Sequence, residues 1–394
     1  MTPQTPAPSA RTEPTVTKIS SPAEVARLVP HLLGFAPHDS VVVVSFAGPR
    51  RRLGPVARFD QPTEAEHIDL VLAGLEPLLL NAGVEEVMAI AFVDTAPEDI
   101  VDETLDALGF FVAGHGFDLV AAVVVRDEQW RYSGEPWRGE VLPDPVQVPA
   151  VMAYVEIGSA PLPSREALGD ALVPLPEGPA AEELRRLVAG CLDRRSRPLA
   201  WLMGVNAPTS SWAEVESGWH EDAMRWATVL GLDAQPHADR PGLLDPLPEL
   251  APGELAALVA SLEDRAFRDA LIAWVVPDAT PAPDLGYSLH DVDAVVRPVL
   301  GPVPDPEDGQ VQATLGRLEE LVRRLPLDLQ APLLTMLGVA RWAEGAGAAA
   351  DLAVTQALAG RPGYRLAELV EALITHQVPP RGRGRQDRPR EATV

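Results

Sequence analysis

The sequence predicts an α/β N-terminal domain, a mixed, mostly parallel sheet flanked by helices, followed by an all-α C-terminal domain. Three observations predict it. Up to about residue 135, short runs rich in β-branched residues alternate with helical patterns, the rhythm of strand–helix–strand units. Beyond Pro143 convincing strands stop, and proline clusters separate stretches of helical periodicity. The chain of 394 residues also exceeds what one ordinary core accommodates.

Residues 1–17, rich in Pro, Thr and Ala, read as a disordered tail. The α/β domain takes residues 18–140. It opens with a helix capped by Ser20 or Ser21, with Pro22 at the first helical position and Glu24 in the first turn. That helix runs through "AEVARLVPHLL" and stops at Gly34 and Pro37. "SVVVVSF", apolar on both faces, is an interior strand. The loop "AGPRRRLG" leads to "PVARFD", an alternating strand antiparallel to the first. A helix is expected from Thr63 to Leu80, then the strand "EVMAIAFVD". A helix from Pro97 to Val112, capped by Thr95, the strand "FDLVAAVVV" and a short fifth strand "WRYS" follow. Helices join the second, third and fourth strands, which should therefore run parallel.

Residues 141–163 make the junction, and 164–378 the helical domain. Its segment "SSWAEVESGWHEDAMRWATVLGL" carries a capping box, Ser211 with Glu214. Trp212, Trp219 and Trp226 recur every seven residues there, as a packing stripe or as a stacking surface for a ligand. From Ala331, the residues Leu334, Leu337, Gly338, Gly345, Ala350, Val354, Ala357 and Pro362 match the tetratricopeptide pattern. Arg341 stands where that pattern has an aromatic. Residues 331–376 thus read as a tetratricopeptide-like hairpin plus a closing helix. A single repeat cannot form a solenoid, so the hairpin either closes the domain or offers a groove to a peptide. Residues 379–394 form a basic tail, with five arginines against Asp387 and Glu391 in "RGRGRQDRPREATV".

Composition narrows the function classes. With 46% hydrophobic and 23% charged residues, the chain reads as soluble and globular. A formal charge of −25 repels phosphate backbones and anionic membranes, so neither nucleic acid nor membrane is an expected partner. The lone Cys191 excludes an intramolecular disulfide and a thiolate metal cluster, and its apolar helix face makes it a buried structural thiol. The first twenty residues lack an apolar core and no run is long enough to span a bilayer, so a cytoplasmic location is expected. The eight histidines show no H-E-x-x-H spacing, and G-x-G-x-x-G, Walker and G-x-S-x-G sequences are absent.

Strand direction makes a geometric prediction. Asp39 and Ser40, then Asp60, then Asp94 and Thr95, then Arg126 and Asp127 should gather along one rim of the sheet. The carboxyl ends of strands in open sheets are where ligands usually bind. In one reading these carboxylates hold a divalent cation or orient a polar ligand, with Arg58 or Arg126 as counter-charge. In the other, Asp39 and Asp94 satisfy turn and helix-start amides while Asp60 and Asp127 point into water.

Taken in order, "LLGFAPHDSVVVV", "ARFDQP", "DEQWRYS", "PAVMAYVEIGSAPLPSREAL", "DRAFRDALIAW" and "PLLTMLGVARWAEGAGAAADLAVTQALAGRPGYRLAELV" resemble the actinobacterial family known as domain of unknown function 4192. The resemblance spans about residues 20–375. Its motifs, a helix-breaking G-F-x-P before D-S and an arginine-x-aspartate ahead of proline, fall on Gly34, Phe35, Pro37, Asp39, Ser40, Arg58, Asp60 and Pro62. Many relatives look to carry a cysteine-bearing insert where this chain has "GEPWRGEVLPDP", so no metal or redox role of that insert carries over. The resemblance implies no activity. The leading expectation is a non-catalytic cytoplasmic protein that binds a small ligand or, through its C-terminal helical region, a protein partner. The alternative is a divalent-metal-dependent hydrolase or phosphoryl-transfer enzyme using Asp39, Asp60, Asp94 and Asp127.

Overall fold

Ser21 begins the first helix as the sequence requires: its hydroxyl accepts the Glu24 amide at 3.3 Å, and Pro22 needs no partner for the N–H it lacks. This helix, α1 (Pro22–Leu33), ends at Gly34, whose φ of 81° lies in the left-handed region. The computed structural model describes residues 19–48, 51–76, 84–156, 159–202, 212–232, 247–276, 289–302 and 310–376. Both expected tails and the capping residue Ser211 lie outside the described residues, as does most of the end of the helix expected to reach Leu80.

Five strands form one mixed sheet: β1 (Ser40–Ala47), β2 (Arg52–Asp60), β3 (Glu86–Phe92), β4 (Asp118–Arg126) and β5 (Gln129–Tyr132), in the order β2-β1-β3-β4-β5. β2, β3 and β4 do point the same way. However, β1 lies between β2 and β3 and runs against both, so β3–β4 is the one parallel pairing and the others are antiparallel. The expectation of a mostly parallel sheet is thereby corrected. The reason is burial: Val41 to Val44 are fully buried, and the most apolar strand takes a central place where both faces are covered. β2 also starts at Arg52, inside the expected loop, after a bulge between Val44 and Phe46 of β1.

One face of the sheet is covered by α1. The other is covered by α2 (Ile68–Ala73) and α3 (Glu98–Gly114). The helix expected from Thr63 is a short 3-10 turn, Ala65–His67, running into the six-residue α2. α4 (Pro149–Glu156) then packs Ala150 and Val151 beside Leu28 of α1. The junction is clipped to the sheet domain, with the Ala36 amide donating to Leu162 O at 2.8 Å and the Leu162 amide to Gly34 O at 2.9 Å.

After the junction come α5 (Arg165–Asp170), whose Leu168 packs against the sheet core, and nine further described helices that share one continuous core of their own: α6 (Pro179–Leu202), α7 (Trp212–Leu230), α8 (Pro252–Ser261), α9 (Arg265–Val275), α10 (Leu289–Leu300), α11 (Gln310–Arg323), α12 (Ala331–Glu344), α13 (Gly347–Gly360) and α14 (Arg365–Thr375). Trp219 and Trp226 are packing residues. Their indole N–H groups donate to Asp264 at 2.8 Å and Ser261 at 2.9 Å. α12 and α13 approach closely at Gly338, where a Cβ would come 2.7 Å from Val354 Cγ2. Every residue from Ala331 to Ala340 is buried, so α12 is a core helix and leaves no open face for a peptide. Arg341 answers the acidic side chains of Glu319 at 2.6 Å and Glu344 at 3.2 Å.

Candidate functional site

The polar stretch between α1 and β1 folds onto the loop that follows β3. Asp39 Oδ1 accepts the amides of Asp94 at 2.8 Å, Thr95 at 2.9 Å and Ala96 at 3.2 Å, and its Oδ2 accepts the Thr95 hydroxyl at 2.6 Å. Burial alone would raise the Asp39 carboxyl, but these donors hold it down at about 2. The residue adopts φ 38°, a left-handed conformation that Asp tolerates better than most side chains. Thr95 therefore serves Asp39 and does not cap α3. The N-cap of that helix is Pro97, which has no side-chain bond to give.

Ser40 sits opposite Asp60 on one side and Phe92 on the other. Its hydroxyl donates to His38 O at 2.6 Å and accepts from Arg58 Nε at 3.0 Å, while Arg58 also holds Asp60 at 2.7 Å. His38, part of the polar stretch before β1 but not among the expected rim residues, bridges two parts of the chain. Its Nδ1 lies 2.6 Å from Asp94 Oδ2 and its Nε2 3.0 Å from Pro163 O. Both neighbours are acceptors, so the ring meets both only as imidazolium. The Pro163 carbonyl first, and the Asp94 carboxylate with it, push its pKa up.

Asp39, Ser40, Arg58, Asp60, Asp94 and Thr95 thus form one bonded group at the sheet edge. Arg126 reaches the 94–96 loop of this group, its Nη2 donating to Ala96 O at 3.4 Å, while Asp127 lies in the turn beyond. Arg126 pairs with Glu98 at 2.5 Å. Asp127 and Glu128, with φ of 48° and 64°, make the two-residue turn between β4 and β5, as a type I′ hairpin requires. Next to Arg126 lies a cluster that sequence reasoning missed. Arg131 grips Asp102 with two 3.0 Å bonds, and Arg126 and Arg131 approach the Trp137 ring at 5.8 and 5.1 Å. The Arg131 guanidinium and the Gly134 amide hold the Asp102 carboxyl below its usual range despite burial. No spacing rule links an α3 residue to β5, so this pair left no signal in the sequence.

A divalent cation would need carboxylate oxygens to spare. Asp39 has spent both, Asp60 and Asp94 face Arg58 and His38, and among the described residues no three His, Cys, Asp or Glu side chains gather closely enough to hold an ion. The residues present therefore do not fit the metal centre that the alternative reading requires.

A mixed sheet with an internally bonded polar rim, joined to a helical core, defines an α/β-plus-helical protein. Its chain belongs to the family described as Domain of unknown function (DUF4192), whose model matches residues 22–381. Comparison with curated proteins and with solved structures finds no match. No described helix is long and apolar enough to cross a membrane.

Proposed function

We propose that this chain works by binding a protein or a small ligand and catalyses no reaction. The observation that carries the reading is the commitment of Asp39, whose two oxygens are filled by the 94–96 loop. The acidic groups of the rim hold loops in place, which suits a surface kept in shape more than one that shuttles protons. At the C-terminal helical region a protein partner would meet α13 and α14, since α12 is covered. α14 offers Leu369, 47% exposed. A cytoplasmic setting suits a single, buried thiol at Cys191.

Thermal melts with and without Mg²⁺ and Mn²⁺ test the non-catalytic reading, which expects an unchanged melting temperature. A metal-dependent rise that the double variant Asp60→Ala, Asp94→Ala abolishes would overturn it in favour of a metal-dependent hydrolase or phosphoryl-transfer enzyme. The protein-partner form expects capture through residues 331–376 to be lost in Leu369→Asp.

A further inference from the structure

The two edges of the sheet are finished differently. Beyond β5, residues 140–142 close the ladder: the Trp130 amide donates to Glu140 O at 2.9 Å and the Leu142 amide to Glu128 O at 2.8 Å. At the other edge, β2 has β1 as its one strand neighbour among the described residues. Which of its backbone groups face outward follows from the register. The Gln61 amide donates inward to Asp39 O, and Phe59 and Ala57 oppose Val41 and Val43. The alternation of an antiparallel ladder therefore turns the N–H and C=O groups of Val56, Arg58 and Asp60 away from the sheet. Pro55 and the bulge adjoin Val56 at the hairpin end, so the regular ladder of β2 begins at Val56.

Two more observations bear on what covers the edge. Val56, Ala57 and Phe59 pack against the two cores of the sheet yet stay only half-buried. The strand is also ordered in charge. Exposed Arg51 and Arg52 stand at its start, and exposed Asp60 with Glu64 and Glu66 at and beyond its end. An open edge of this kind is a ready template for another strand.

We propose that β2 pairs antiparallel with β2 of a second copy, about a twofold axis near Ala57, making one continuous sheet across both copies. The pairing sets the basic start of each strand beside the acidic end of the other, a match that a second copy carries by symmetry. Val56 of each copy exchanges backbone hydrogen bonds with Arg58 of the other, which keeps the two Arg58 side chains from standing opposite. Ala57 meets Ala57 in a non-hydrogen-bonded pair, where Cα atoms approach to about 4.5 Å and a small side chain fits. The half-buried apolar residues of β2 are covered.

Light scattering or sedimentation of the full chain, over a roughly hundredfold concentration range, tests this. A dimer is expected. Val56→Pro deletes an outward N–H and no bond to β1, so it should give a monomer with the melting temperature of the isolated chain. Ala57→Cys should form a disulfide-linked dimer under mild oxidation, because Cys191, the single native cysteine, is buried. This cross-link decides the matter even if the proline variant folds poorly. A chain monomeric throughout the range, or a dimer in which Ala57→Cys stays reduced, overturns the proposal.

Discussion

Asp39 does the work of several residues: it closes the loop after β3, and its own carbonyl receives the Gln61 amide at 2.8 Å. Asp39→Ala leaves three amides and a hydroxyl without their acceptor and should cost roughly 1–3 kcal/mol in urea unfolding. Asp39→Asn, which keeps an oxygen and tolerates left-handed backbone, should cost less. The two titrating groups of the rim act in opposite pH windows. Asp39, held at about 2, stabilises the fold above its unfolded pKa of about 3.9 and loses that contribution as pH falls towards 2. His38, whose pKa is raised, contributes fully below its unfolded value of about 6.5 and ceases to do so as pH climbs through the raised one. Melting curves of the wild type and of His38→Gln should therefore converge above that pH; a constant gap between them would contradict the imidazolium bridge. Polar groups wedged between a helix stop and a valine run made Asp39 and Ser40 legible. His38 was not, because its acceptor at Pro163 lies 125 positions away and nothing local announces it.

Among elements, existence was easier to read than adjacency. Four consecutive valines announce a strand buried on both faces, but a period of two says nothing about which strands flank it. The place of β1 between β2 and β3 therefore stayed hidden, although the shared direction of β2, β3 and β4 did not. The helix expected from Thr63 shows the same limit. Its first turns carry Glu64, Glu66 and His67, all exposed, and Ile68 and Leu72 supply the buried anchors of α2. Two glycines give a paired test of helix packing. Gly360 of α13 abuts the Leu327 carbonyl, so a Cβ there collides with backbone. Gly360→Ala should destabilise by roughly 1–3 kcal/mol. Gly316 of α11 is exposed with nothing within 4 Å, and Gly316→Ala should stabilise by about 1 kcal/mol. Chemical denaturation of both variants should move their midpoints in opposite directions.

On the scale of the whole molecule, a sheet domain and a helical core meet at the clip of Gly34, Ala36 and Leu162, where Leu168 of α5 and Ala348 of α13 also pack against the sheet core. Asp222 shows how the helical part tolerates charge inside. It is fully buried between Arg195 at 2.5 Å and Arg225 at 2.8 Å, and burial still pushes its carboxyl up. Asp222→Ala takes a carboxylate from both guanidinium groups, of which Arg225 keeps Glu221 at 3.2 Å, and should cost roughly 1–3 kcal/mol, seen as a fall in the melting temperature of the helical part. The loop that Asp39 fills has a different consequence. Its three convergent amides are the kind of cradle in which other α/β proteins seat an oxyanion, and here a tethered carboxylate sits in the berth. Emptying that berth with Asp39→Gly would turn a structural plug into a small receptor, and inorganic phosphate should then raise the melting temperature of the variant while leaving the wild type unmoved.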